Sequence, residues 1–175
     1  NISIFLGVFM MVIASGAKAQ IEIAEGIQYQ PGTELKVSSL GVQFIVPADY
    51  QAILPQGSSM LVMVSTDQEV TLLVSADEMD LASSKQAMMQ TTDLGNGLTL
   101  VLAGDLWQDK NRLSGEYRVV GSPQALKSMA QVQIGADGIG IVTIMISTPT
   151  KYAAGQSAME SLFSSLRCVK PAVSA

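Results

Sequence analysis

Histidine is absent from this 175-residue chain. That excludes Ser-His-Asp and Cys-His catalysis and every histidine-ligated metal site. Cysteine is nearly absent as well: Cys168 is the single one, so no intramolecular disulfide can form. It follows the last predicted helix and reads either as a small apolar packing residue or as one half of a disulfide between chains. Charged residues make up only 14% against 48% hydrophobic, a balance that supports a packed core rather than disorder. The 10 basic residues never form a run, and the net charge of −5 argues against nucleic acid or an anionic membrane as a partner. There is no G-x-S-x-G, no P-loop and no C-x-x-C. No internal repeat or low-complexity tract occurs either.

What is present begins with an apolar run. Residues 2–14, ISIFLGVFMMVIA, have the length of a signal-peptide core and fall short of the roughly 18 residues a spanning helix needs. Ala17-Lys18-Ala19 supplies small residues at the cleavage positions. The expectation is a signal peptide over 1–19, cut before Gln20, and a secreted or periplasmic mature chain without membrane contact. The alternative is a retained anchor. Loss of Lys18 would leave 9 basic residues against 15 acidic ones. Residues 20–175 are of a size that forms a single domain.

The mature chain reads as short antiparallel strands with two helices. Ile21–Ala24 is a weak strand or arm, and strands follow at 34–40 and 42–46. Pro47 ends the second, and Ala48–Leu54 reads as a helical or turn segment. Met60–Ser65 and Glu69–Ser75 form a hairpin so continuously apolar that both faces should be buried. Asp77-Glu78-Met79-Asp80 offers N-caps for a helix reaching about Met89. Gly95-Asn96-Gly97 turns into strand Leu98–Ala103, a polar loop covers 104–112, and Leu113–Val120 is the next strand.

The organising element is Met129–Arg167. Asp137-Gly138 between two alternating apolar runs signals a two-residue type I′ hairpin. That register pairs Ile134 with Ile141, Val132 with Thr143 and Ala130 with Met145, and places Met129, Gln131 and Gln133 on the other face. Strand 139–147 is apolar on both sides, so it should be central and covered on both faces. The helix that follows carries Ala158, Met159, Leu162, Phe163 and Leu166 on one stripe and should fold back on this sheet.

Residues with chemical potential each have a plainer explanation. Met60-x-x-Met63 and Met88-Met89 contain soft copper ligands, but strand residues three apart face opposite sides and adjacent helical residues diverge, so core packing fits better. Asp105, Asp109, Asn111 and Glu116 could offer oxygens to calcium, but their spacing is not that of an EF-hand and Lys110 and Arg112 interrupt it. The three glycines of 135–140 belong to a turn and open no helix. Ser84 and Lys85 are neighbours on a helix and cannot form a dyad. No metal and no cofactor is expected.

Three stretches together resemble the PsbP/Mog1-like fold family, in particular its secreted bacterial branch of unknown function. They are GVQFIVPADYQAILP at 41–55, a middle helix after a strand hairpin, and IGADGIGIVTIMIST followed by AMESLFSSLR. The resemblance covers about 34–168 and rests on packing patterns. It implies an α+β fold, a central antiparallel β-sheet with helices packed on its faces. It implies no single function, since the family spans photosystem accessory proteins, a small-GTPase-binding protein and secreted bacterial proteins. Some PsbP relatives bind metal through histidines that this chain lacks, so no metal site and no functional residue carries over.

Three functional readings follow. One is a non-enzymatic binding or accessory domain with an unidentified protein partner. The second is a hydrolase using surface carboxylates such as Asp105, Asp109 or Glu116. The third is a carrier of a small apolar ligand between sheet and helix. For the first, the candidate residues are Trp107, Asp109 and Arg112. Trp107 is the only tryptophan and lies in the most polar stretch, and tryptophan with arginine dominates interface hot spots. The competing role for Trp107 is a lid folded over one end of the sheet.

Overall fold

The computed structural model describes residues 20–38 and 41–168. The expected signal peptide at 1–19 and the tail after Cys168 lie outside the described residues. In chain order the strands are β1 (Ile21–Glu22), β2 (Gln28–Tyr29), β3 (Glu34–Val37), β4 (Val42–Ile45), β5 (Tyr50–Ile53), β6 (Leu61–Ser65), β7 (Val70–Glu78), β8 (Thr92–Gly95), β9 (Leu98–Leu102), β10 (Trp107–Asp109), β11 (Arg112–Val120), β12 (Lys127–Ile134), β13 (Ile139–Ser147) and β14 (Arg167–Cys168). Helix α1 (Leu81–Met88) follows β7, and α2 (Tyr152–Ser165) follows β13.

Ten strands form one antiparallel sheet in the order β2-β5-β6-β7-β13-β12-β11-β9-β8, with β10 also paired to β11. A smaller sheet, β1-β3-β4-β14, stacks beside α2 on one face. The larger core lies between that layer and the big sheet, around Leu35, Met63, Leu72, Met145, Met159 and Leu162. The second core lies on the opposite face, where α1 covers Leu100, Leu113, Tyr117 and Val132. This is the α+β class expected, with helices on both faces. Strand β13 is central: β7 and β12 flank it, with Ile141 and Met145 in one core and Val142 and Ile144 in the other.

Local chemistry explains the boundaries. Asp80 caps α1, its carboxylate accepting from the Ser83 amide at 2.9 Å and the Ser83 hydroxyl at 2.8 Å. Those bonds hold the Asp80 carboxyl below its usual range. The inner stripe of α2, with Ala158, Met159, Leu162 and Phe163 buried, is the one the spacing predicts.

Several expectations are corrected. The hairpin pairs Ile134 with Gly140, Val132 with Val142 and Ala130 with Ile144, one residue away from the two-residue register. Of the turn residues only Gly138 has positive φ, at 80°, whereas a type I′ turn needs it at Asp137 as well. The Asp137 carboxylate instead accepts from the Ile139 amide at 3.1 Å, and Gly135 bonds Ile139, leaving a three-residue loop. The slip puts Ile134 and Ile141 on opposite faces, so α2 meets Ile141 and Met145 while Ile134 faces α1.

Ala48–Leu54 contains a strand, β5, rather than a helical turn. Asp49 turns the chain at φ 65°, after which Tyr50 and Ala52 are buried and Gln51 is exposed. The β6–β7 hairpin is covered on one face only. Leu61, Met63, Leu72 and Val74 are buried, but Val62, Val64 and Leu73 on the reverse side are half-buried, because α1 packs on β11 and β12 instead. Met89 is exposed while Met88 is core. Among the described residues no helix is long and apolar enough to cross a membrane.

Candidate functional site

The expected polar loop 104–112 is partly strand. β9 leaves the edge of β11 after Leu102, and β10 takes up the same edge at Trp107, pairing Trp107 with Ser114 and Asp109 with Arg112. Lys110 makes the reversal at φ 49°. Asn111 pins the turn to the end of β12: its carbonyl accepts from the Ile134 amide at 2.9 Å, and its side chain donates to the Ile134 carbonyl. Trp107, Asp109 and Arg112 thus stand on a braced hairpin.

Register also fixes their direction. Paired residues share a face, so Thr143, Gln131, Ser114 and Trp107 form one row, and Ile141, Gln133, Arg112 and Asp109 the next. Both rows run from beneath α2 outward to the sheet edge. Trp107 is 54% exposed and does not fold back as a lid, and Asp109 is exposed beside it. Arg112 is half-buried. Its Nη2 donates to the Gln131 side-chain oxygen at 2.8 Å, and its guanidinium carbon lies 5.4 Å from the Phe163 ring centre.

Sequence reasoning missed two members of this seam, Gln131 and Gln156. Gln131 is buried, and its bond from Arg112 turns its amide nitrogen toward Met129. Gln156, from α2, turns its own amide nitrogen to the same sulfur; both distances are 3.9 Å. The signal available was a pair of glutamines in a strand otherwise fit for a core. Further along, Tyr152 donates to Glu116 at 3.0 Å, and Lys127 Nζ lies 5.3 Å from the Tyr152 ring centre. Burial, reinforced by Glu116, pushes the Tyr152 phenol well above its usual value.

Of the carboxylates named from the sequence, Asp109 and Glu116 do not converge. Asp109 lies opposite Arg112, and Glu116 is four residues along the same strand. That is roughly 13 Å at the usual strand rise, wider than the ~5–9.5 Å at which two carboxylates flank a scissile bond. Cavities lie elsewhere. A hollow of ≈ 380 Å³ opens between the two sheets around Val42, Phe44, Leu61 and Ile141, and one of ≈ 390 Å³ lies under α1 around Met88, Tyr117, Val132 and Ile144. Both are lined chiefly by apolar side chains.

No protein-family model matches the chain. No curated protein matches it either. Solved structures do. The solution structure of cyanobacterial PsbP (CyanoP) from Synechocystis is similar, with a TM-score of 0.49 and 14% identity over 87% of this chain and 98% of that one. The Ran-binding protein Mog1p of Saccharomyces cerevisiae is similar with a TM-score of 0.49 and 13% identity, over 79% of this chain and 95% of that one. A Bacteroides thetaiotaomicron protein gives a TM-score of 0.44 and 13% identity, over 84% and 50%. What is alike is the course of the backbone over most of this chain. No partner or activity comes with it.

Proposed function

We propose that this chain is a secreted or periplasmic, non-enzymatic binding or accessory domain that engages a protein partner through the β10–β11 edge and the adjoining flank of α2. One observation carries this reading: the only tryptophan of the chain is 54% exposed on an edge strand, next to a half-buried arginine. Tryptophan and arginine are the residue types most enriched among the anchors of protein interfaces. The free outer edge of β10 would add backbone donors and acceptors to the contact.

Trp107→Ala separates binding from folding. The side chain is mostly in solvent, so the free energy of unfolding should change by less than about 0.5 kcal/mol. Immobilised wild-type protein should retain an envelope protein of the producing cell that the Trp107→Ala protein does not. Identical retention by both would remove this site. The mass of the native chain from the same cells checks export, with Gln20 as the expected first residue.

The hollow beneath α1 favours a second reading as a carrier, because ≈ 390 Å³ falls within the range of small-ligand pockets. Native mass spectrometry of protein purified from its own host decides it: a bound apolar molecule lost in Ala87→Trp supports the carrier, and a bare chain excludes it.

A further inference from the structure

Short side chains keep the hollow under α1 open. The buried residues of the helix are Ser84 and Met88, and Ala87 lines the hollow beside them. On the sheet below, Ala130 pairs with Ile144 and Val132 with Val142. Serine and alanine above and alanine below leave ≈ 390 Å³ unfilled, in a molecule whose interior is otherwise expected to be close-packed. Tyr117 ties the helix to the floor, its hydroxyl donating to the Met88 carbonyl at 2.7 Å. Met79 is a further wall. It lies so close to Gly140 that a Cβ there would meet its Cγ at 2.1 Å.

Four residues of the lining carry a side-chain oxygen: Ser83, Ser84, Thr92 and Tyr117. Ser83 is taken by Asp80, and Tyr117 by Met88. Ser84 and Thr92 have no side-chain bond among the described residues, although Ser84 is only 7% exposed. Thr92 pairs with Leu100, so it shares the face that α1 covers. A nearly buried hydroxyl without a partner carries a desolvation cost that an incoming oxygen would offset. Among the described residues, none that lines the hollow is charged. The charges along 77–93 are engaged or in solvent. Asp80 holds Ser83, Asp77 and Asp93 accept from the Glu78 and Gly95 amides at 2.8 Å, and Glu78 and Lys85 are exposed.

We infer that this hollow takes an uncharged amphiphile, an apolar body ending in one hydroxyl or carbonyl oxygen, which bonds Ser84 while the apolar part lies over Val132, Val142 and Ile144. A fatty acid or an alkylammonium ion does not fit, because no opposite charge in the lining meets its head. This rests on the carrier reading above and names the class of its cargo.

Displacement of N-phenylnaphthylamine, an uncharged dye that brightens in apolar sites, tests it. The dye should bind the wild-type chain, and decanol should displace it saturably. Decanoate and decylammonium should each compete at least about tenfold more weakly, for want of a counter-charge. Ser84→Ala should weaken decanol about fivefold, the effect of losing one neutral hydrogen bond. That variant removes an unmet hydroxyl and installs a better helix former, so it should fold at least as well as the wild type. Ala87→Trp should abolish binding of both dye and decanol; if it does not fold, the Ser84→Ala comparison still decides the inference. No dye binding, or equal dye binding by wild type and Ala87→Trp, would remove the hollow as a site and the carrier reading with it. Dye binding lost in Ala87→Trp, but with either charged amphiphile competing as well as decanol or with decanol affinity unchanged in Ser84→Ala, would leave the carrier standing and overturn the class of cargo.

Discussion

Phe163→Ala should lower the free energy of unfolding by about 3–5 kcal/mol, the usual cost of emptying a buried aromatic site. Phe163 is 8% exposed and lies on the inner stripe of α2 next to Leu162, which has no exposed surface. Both belong to the larger core with Leu72 and Met145. The ring also supports Arg112 at 5.4 Å, a contact of ~0.5–1 kcal/mol at a partly exposed site. Two effects should therefore appear together: a lower denaturation midpoint and a loosened seam. Phe163→Leu, which refills much of the volume, should lose less. A midpoint unchanged in Phe163→Ala would mean that α2 does not lie on the Ile141–Met145 face.

Gly121→Ala should be nearly as damaging although it adds a single methyl. Gly121 follows β11 at φ 90°, where side chains are strained. A Cβ there would stand 1.9 Å from the Gly97 carbonyl oxygen, in the turn between β8 and β9. The obstacle is backbone and cannot rotate away, so the β8–β9 hairpin must move off the end of β11. A loss on the order of 3 kcal/mol follows from the strain and the overpacking together. Ser122→Ala, one residue on, should stay within about 0.5 kcal/mol. Equal midpoints for the two variants in urea would show that the close approach is absent.

These two positions differ in how readable they were. Phe163 was legible because the spacing of Ala158, Met159, Leu162 and Phe163 repeats with the helical period and needs no tertiary information. The N-cap at Asp80 and the β6–β7 hairpin were legible for similar local reasons. Gly121 was not, since its role depends on a turn some 24 positions earlier in the chain coming to lie against it.

The hairpin register was misread because Asp-Gly is compatible with two loops, and the choice between them is made by the Asp137 bond to Ile139. β5 and β10 are too short for a period of two to stand out from noise, and they became strands by pairing with β6 and β11. In the site, Trp107 and Arg112 were legible by residue type alone. Gln131 and Gln156 were not: one comes from β12 and the other from α2, and only the packing of the helix across the sheet brings them to one sulfur.

Photo-crosslinking from position 107 in the producing cell tests the central claim most directly. A photoreactive phenylalanine analogue replacing Trp107 should give a covalent adduct with one protein. The same analogue at Met89, which is also exposed but on α1, should give none. No adduct from 107, or the same adducts from both positions, would contradict the assignment of the β10–β11 edge as the binding surface.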